Sequence, residues 1–395
     1  MRALRLKKGE DKRLRHGHLW VFSNEVDVKA TPLADCAPGE QVTLLSAQGA
    51  ELGSAHVNPA SLICARLYTR TANTPLDAAL LRTRLQAALE LRGRLFSAPF
   101  YRLCHGEGDL LPGLVIDRYG SVFAVQMTTA GMDALRDDIL QVLVELFAPT
   151  CISLRNDVPS RALEHLPLTR EDPVGQAPAE LLLPENGVDF AIPFAQGQKT
   201  GWFYDQRANR AAAAASAREA TVLDAFSYAG GFGVTCASRG ARQVDFLDAS
   251  ATALDYCRAN LARNAPHCRG VFHKGDALTL LRELRDAGQR YDVVCLDPPA
   301  FIKRRKDAAT GLAAYRKVNT LAAELVREGG IVVSCSCSHL LTAEQLAECV
   351  NRAAGRRGLA AQIIRRGGQG PDHPVHGSIP ETAYLKCLMA RLQRL

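Results

Sequence analysis

The chain has 395 residues, 47% of them hydrophobic, enough to bury substantial cores and, by length, to make roughly two to three domains. No stretch reaches the roughly 18 uncharged apolar residues of a membrane helix, and Met1-Arg2-Ala3-Leu4 leads into charges rather than a signal-peptide core, so a cytoplasmic protein with no membrane partner is expected. The 48 Lys and Arg outnumber the 41 Asp and Glu for a net charge of +7, which suits a polyanionic partner without resembling a histone-like tail; the 12 cysteines show neither paired C-x-x-C spacing nor a small secreted framework, so reduced thiols and no bound metal are expected.

The first residues cluster Arg2, Arg5, Lys7, Lys8, Lys12, Arg13 and Arg15 before Trp20 and Val21, opposed only by Glu10 and Asp11. Such a run reads as a solvated face or, preferably here, as a phosphate-contacting surface, because His16, His18 and Trp20 sit among the cations. Residues 41–45 and 52–57 form a hairpin about Ala47-Gln48-Gly49, with a further strand over 62–67, so a small β-rich domain ends near Tyr68. Leucines at 76, 80, 81, 85, 89 and 95 recur at helical spacing over 75–96. A turn-rich link, residues 104–120, then leads to a strand over 122–127, a helix over 133–147 and a strand over 151–154. Residues 181–183 and 188–192 flank Glu185-Asn186-Gly187, an Asn-Gly hairpin.

The segment from Pro193 to Arg210 is chemically loaded for a connector: Lys199, Thr200, Asp205, Gln206 and Arg207 lead into an Ala-rich helix. Beyond it an α/β rhythm sets in, with strands over 221–225, 244–247, 271–273, 293–296 and 331–335 alternating with helices, which implies a parallel, doubly wound Rossmann-like sheet. Thr342 to Gln345 has the form of a capping box opening a helix to about Arg356, and residues 362–364 and 384–390 close the sheet.

The stretch TVLDAFSYAGGFGV, residues 221–234, is the axis of this half. A strand empties into Gly230, Gly231 and Gly233 and resumes as a short helix over 234–239, so backbone N–H groups can approach a ligand closely. The next strand ends in Asp248, where a doubly wound sheet places the carboxylate that accepts from a ribose diol. The third glycine of a dinucleotide fingerprint is replaced by Cys236, which disfavours NAD and leaves S-adenosylmethionine as the better cofactor.

The other strand ends are equally marked. Asp276 is placed to accept from an adenine amino group or to cap a helix. Asp297-Pro298-Pro299 fixes a carboxylate and a carbonyl at the sheet edge, where a planar base could dock. In Ser334-Cys335-Ser336-Cys337-Ser338 only Cys337 lies beyond the apolar run, whereas Cys295 and Cys335 read as small buried hydrophobes. Cys337 is thus the candidate nucleophile: a thiolate adding to C6 of a pyrimidine makes C5 able to attack a sulfonium methyl group. Lys303, Arg304, Arg305 and Lys306 are candidate neighbours of that thiolate or contacts to phosphate.

These motifs, in this order, make the whole chain similar to the RlmI-like ribosomal RNA cytosine-5 methyltransferases. HLWVFSNEV with the basic stretch resembles that family's PUA RNA-binding domain, GEGDLLPGLVIDRYG its central α+β domain, and GQKTGWFYDQR its cofactor-covering segment. The resemblance implies domains over 1–70, 71–195 and 196–395. It further implies that Arg207, Phe226, Ser227, Tyr228, Gly230, Asp248, Asp276, Ala277 and Asp297 surround S-adenosylmethionine, and that Pro298, Pro299, Phe301 and Lys303 meet the base. By the same resemblance Lys7, Arg13 and Trp20 bind RNA, and Cys337 and Asp297 are catalytic. Two departures stand out, Gln198 in place of an expected histidine and His339 after the serine-flanked cysteine; the Asp-Pro-Pro motif also lacks a second cysteine.

The leading expectation is therefore a cytosine-C5 methyltransferase acting on large-subunit (23S) ribosomal RNA. A base N-methyltransferase of the same fold and an inactive RNA-binding assembly factor are the alternatives, with NAD-dependent oxidoreduction a distant fourth. The sequence admits a homodimer and does not set the oligomeric state.

Overall fold

A computed structural model describes residues 1–197 and 200–394. Gln198 and Lys199, both singled out in the sequence, lie outside the described residues. The chain forms two compact units, the first made of residues 1–179, 194–202 and 371–382 and the second of residues 180–193, 203–370 and 383–395. Among the described residues no helix is long and apolar enough to cross a membrane.

The first unit holds two five-stranded sheets. One comprises β1 (Arg2–Arg5), β2 (Trp20–Val21), β3 (Gln41–Leu45), β4 (Glu51–Val57) and β5 (Ala65–Thr69) in the order β1-β3-β4-β5-β2. The basic opening residues thus form a strand, parallel to β3, in which Leu4 is fully buried while Arg2 is exposed. Leu4 fastens the segment to the core, while Arg2, two positions earlier on the same face, projects at the strand's start into water.

The second sheet comprises β6 (Phe100–His105), β7 (Leu114–Tyr119), β8 (Val122–Met127), β9 (Cys151–Arg155) and β10 (Arg170–Val174), with helices Ala78–Leu95 and Arg136–Phe147 sharing its core. The stretch expected to be a turn-rich link therefore carries the end of β6 and the whole of β7. Its proline and all its glycines but Gly120 lie in the connection between them, where Gly106–Asp109 forms a 3-10 turn and Leu110 takes φ 59°. The helix expected over 133–147 is broken at Leu135, with Ala130–Ala134 before the break.

A buried polar network ties residue 372 to this sheet. Arg92, fully buried, pairs with both carboxylate oxygens of Asp109 and donates to the Asp372 carbonyl, while Asp372 Oδ2 accepts from the Arg102 amide. A buried guanidinium is tolerated only when its donors are met in this way.

The second unit begins with the hairpin β11 (Glu180–Glu185) and β12 (Val188–Pro193). Asn186 at φ 56° and Gly187 at φ 80° give the turn that an Asn-Gly pair favours. This hairpin, assigned to the central domain by the sequence reading, packs with the second unit because Asn260 exchanges hydrogen bonds with the Ala191 backbone and Asn264 with that of Asp189.

The remainder is a seven-stranded sheet: β13 (Thr221–Ala225), β14 (Gln243–Asp248), β15 (Arg269–Lys274), β16 (Tyr291–Leu296), β17 (Val326–Ser336), β18 (Ala360–Gly367) and β19 (Lys386–Gln393). Their order is β15-β14-β13-β16-β17-β19-β18, parallel throughout except for β19, which runs antiparallel to both neighbours. The order reverses between β13 and β16, and in a doubly wound sheet the crevice beyond that reversal is where ligands sit. The helices Ala308–Leu325 and Ala343–Gly355 complete the core around Val294, Leu296 and Val332. Thr342 and Gln345 make the reciprocal capping box read from the sequence, a motif of which each half satisfies a backbone donor at the helix start.

Candidate active site

The glycine turn follows directly from β13. Gly230, at φ 84°, is the N-cap of helix Gly231–Ser238, which starts three residues earlier than expected. A methyl group on Gly233 would lie 2.4 Å from the Phe246 ring, so only glycine lets this helix close on β14. Phe226 and Tyr228 adopt φ 65° and 48°, a left-handed conformation uncommon for large side chains and concentrated at functional sites. Ser227 is buried, its amide and hydroxyl both turned to the Leu247 carbonyl.

Asp248, at the end of β14, is half-buried. Its Oδ2 accepts from the Tyr228 amide at 2.9 Å and its Oδ1 from the Ser250 amide at 2.9 Å. Each oxygen keeps a second lone pair, so the carboxylate is oriented yet still able to accept from a diol. Beneath the turn, Asp224 is buried and accepts from the Gly233 amide at 2.7 Å. Burial pushes its carboxyl up to about 8, with the charges of Asp297 and Asp248 adding to the effect and the Gly233 hydrogen bond and Arg210 opposing it.

Asp276 caps helix Ala277–Asp286, accepting at Oδ2 from the amide and hydroxyl of Thr279, each at 2.9 Å. The capping role weighed in the sequence is present; Ala277 is the buried first residue of that helix. Arg207 places its Nε 3.4 Å from Glu185 Oε2 and its guanidinium over the Tyr204 ring, while Arg210 takes the other oxygen of Glu185.

On the other side of the reversal, Asp297 follows β16, half-buried, and its Oδ1 accepts from Gln206 Nε2 at 2.8 Å. Gln206 is itself buried and receives Asn209 Nδ2 at 2.7 Å on its own oxygen. Pro298 is buried, Pro299 exposed, and Phe301 meets the Tyr315 ring edge-on at 4.8 Å. Lys303 to Lys306 are all exposed.

Of the twelve cysteines, all outside disulfides, eleven are buried and Cys337 is intermediate. Cys335 lies opposite Cys387 in the ladder, and Cys295 and Cys335 are fully buried, their thiols pushed well up, first by the hydrogen bonds they share with Cys236 and Cys387 respectively and then by burial. Cys337 follows the last residue of β17. The serines on either side are buried and share one partner: Tyr315 Oη lies 2.8 Å from both Ser336 Oγ and Ser338 Oγ, and Ser338 Oγ also accepts from the Ile302 amide. They clamp the backbone immediately before and after Cys337. Lys386 completes the surroundings, donating to the Ser338 carbonyl at 2.7 Å and the Tyr384 carbonyl at 2.9 Å. His339, exposed, stacks obliquely near Tyr384, whose hydroxyl is bound to Asp205.

Gln206, Tyr315 and Lys386 were not among the expected site residues. The loaded segment before the Ala-rich helix was the signal for Gln206; Tyr315, inside a helix, carries none. The residues expected to meet RNA sit in the first unit. Lys7 is exposed and donates to the Asn24 carbonyl at 2.7 Å; Arg13 pairs with Glu25 at 2.5 Å and covers the Phe22 ring; Trp20 donates to Glu107 at 2.7 Å. Among the described residues no group of three or more His, Cys, Asp or Glu is placed to hold a metal ion.

Residues 4–70 match the model of a PUA-like domain and residues 173–391 that of an S-adenosylmethionine-dependent methyltransferase. The chain is 37% identical to the ribosomal RNA large subunit methyltransferase I of Shewanella amazonensis, over 98% of this chain and 99% of that one. It is likewise 37% identical to the protein of that name from Cronobacter sakazakii, over 96% and 97%. Its fold is that of a SAM-dependent methyltransferase structure from Streptococcus mutans, at TM-score 0.82 and 21% identity over 99% of this chain and 100% of that one, and of a methyltransferase complexed with SAH, at TM-score 0.84, 21% identity and the same coverage. The cofactor is S-adenosylmethionine, and the glycine turn with its oriented carboxylate fits it. The chain therefore belongs to the S-adenosylmethionine-dependent methyltransferases, in the group of the ribosomal RNA large subunit methyltransferases I, with a PUA-like domain ahead of the methyltransferase domain.

Proposed function

We propose that this protein methylates C5 of a cytosine in large-subunit (23S) ribosomal RNA, with the thiolate of Cys337 adding to C6 of the ring. The observation that carries the reading is Cys337 itself, the one thiol of twelve that is not buried, standing just past the end of β17, beside the strand that Asp297 follows. The relatives' name supports the RNA class.

A neutral pyrimidine is a poor nucleophile at C5. Sulfur adding at C6 moves electron density to C5, and the thiolate leaves again once the C5 proton has been removed. Bound S-adenosylmethionine supplies an electrophilic methyl group. Asp297, kept in place by Gln206, orients the base against Pro298, Pro299 and Phe301, while Lys303 is free of the sheet to meet a phosphate. Arg207, Phe226, Ser227, Tyr228, Gly230, Asp248, Asp276 and Ala277 surround the cofactor together with Asp297. Ser227 and Ala277, being buried, contribute backbone rather than side chain. Residues 1–70 form the RNA-binding domain, with Lys7, Arg13 and Trp20 on its contact surface, followed by a central domain and the methyltransferase domain.

The test is Cys337→Ala. The variant binds S-adenosylmethionine with unchanged heat in calorimetry and transfers no methyl group to ribosomal RNA, and mapping of 5-methylcytosine locates the site that is lost. Methyl transfer retained by this variant would assign the reaction to a ring or exocyclic nitrogen instead.

A further inference from the structure

We propose that Lys386 is the positioning cation of the nucleophile, its ammonium holding Cys337 in the thiolate form. The inference rests on the assignment of Cys337 as nucleophile and adds the group that prepares it. Lys386 opens β19 directly opposite Ser336, the last residue of β17 and the neighbour of Cys337. Its side chain reaches past the strand end, where the ammonium is tethered by the carbonyls of Ser338 and Tyr384. Two of its three protons are thereby fixed, one of them on the carbonyl of the residue that follows Cys337.

Both acceptors are neutral. Among the described residues Lys386 has no carboxylate within ion-pair distance, although it is half-buried. A partly desolvated ammonium without a counter-ion is unfavourable unless a negative charge lies in reach. Burial does act to lower the affinity of Lys386 for its proton, and the opposing charge that favours the ammonium is the thiolate of Cys337. The relation is mutual: whatever the thiolate does for the ammonium, the ammonium does for the thiolate.

The other titratable groups around the thiol have different tasks. Tyr315, from helix Ala308–Leu325, is committed to the two serines and held neutral by burial. Asp297, beyond β16, carries negative charge and would oppose a thiolate. Cys335 and Cys387 are buried in the ladder, and His339 and Tyr384 pack against each other.

The experiment is the pH dependence of iodoacetamide alkylation of the native, RNA-free protein. Because the other eleven cysteines are buried, the fast phase reports Cys337, with Cys337→Ser as the background. In the wild type the thiol titrates clearly below the ordinary value of about 8.5. Lys386→Met slows alkylation at pH 7 by about tenfold and moves the titration up by about one unit, whereas Lys386→Arg keeps the wild-type profile. An unchanged profile in Lys386→Met overturns the proposal. Should that variant fail to fold, a wild-type thiol titrating at or above about 8.5 overturns it equally. The measurement involves neither RNA nor methyl transfer, so it stands apart from the outcome for Cys337→Ala.

Discussion

Gln206 and Asp297, 91 positions apart, are joined by a 2.8 Å hydrogen bond from the Gln206 amide to a carboxylate oxygen. A carboxylate at a strand end has two rotatable bonds; the amide removes that freedom and fixes which oxygen faces outward. Replacing Gln206 by the near-isosteric Leu keeps the volume and deletes the donor, together with the oxygen that accepts from Asn209, which keeps the Gly368 carbonyl as its other acceptor. Losing one buried hydrogen bond to a charged group costs about 1–3 kcal/mol, so methyl transfer in single turnover falls roughly tenfold to a hundredfold while cofactor affinity measured by calorimetry changes less. Equal losses in both would mean that Gln206 supports the fold rather than the base.

Tyr315→Phe removes the hydroxyl shared by Ser336 and Ser338. Both serines are buried, so their lost partner costs about 1–3 kcal/mol of stability, visible as a lower thermal midpoint. The loop bearing Cys337 loses its clamp at the same time, and turnover falls although no reacting group has been touched. A variant of reduced stability with wild-type turnover would show that the clamp does not position the thiol.

Asp276 has two separable tasks. In Asp276→Ala the helix cap is lost, at about 1 kcal/mol. Asp276→Ser restores a capping oxygen but not a carboxylate. Weaker S-adenosylmethionine binding in both variants, against restored stability in the Ser variant alone, assigns the carboxylate to the cofactor; normal binding by Asp276→Ser would reduce the residue to a cap.

Asp224 makes stability depend on pH. Its carboxyl is raised from 3.8 to about 8, so the folded chain keeps a proton that the unfolded chain has already released. This contribution is whole below about pH 4 and is lost as pH rises towards 8. Asn at this position preserves the oxygen that accepts from Gly233 and cannot ionise. The thermal midpoint of the cofactor-free protein should therefore decline less from pH 5 to pH 8 in Asp224→Asn than in the wild type; parallel curves would place the proton elsewhere.

Much of this architecture was legible because it is written locally. The Asn186-Gly187 turn, the Thr342 capping box and the glycines after Ala225 each follow from backbone preferences a few residues long. Cys337 stood out for a similar reason, since the apolar run of β17 stops just before it. The contacts that organise the site are not local. Nothing near Tyr315 announces that two serines some twenty positions on will share its hydroxyl, and nothing near Lys386 marks Ser338 as its acceptor. The strands on either side of Gly106 were hidden by the density of turn residues between them, which describes the connection and not its flanks.

The division of the chain into units has a consequence for its synthesis and its handling. Because residues 194–202 and 371–382 lie with the first unit while 180–193 lie with the second, no single cut separates the polypeptide into two self-sufficient pieces. Removing the stretch around Asp372 from an amino-terminal fragment would strip Arg92 of one of its acceptors. The two halves are stitched rather than strung, so a ribosome must have released nearly the whole product before either can be finished.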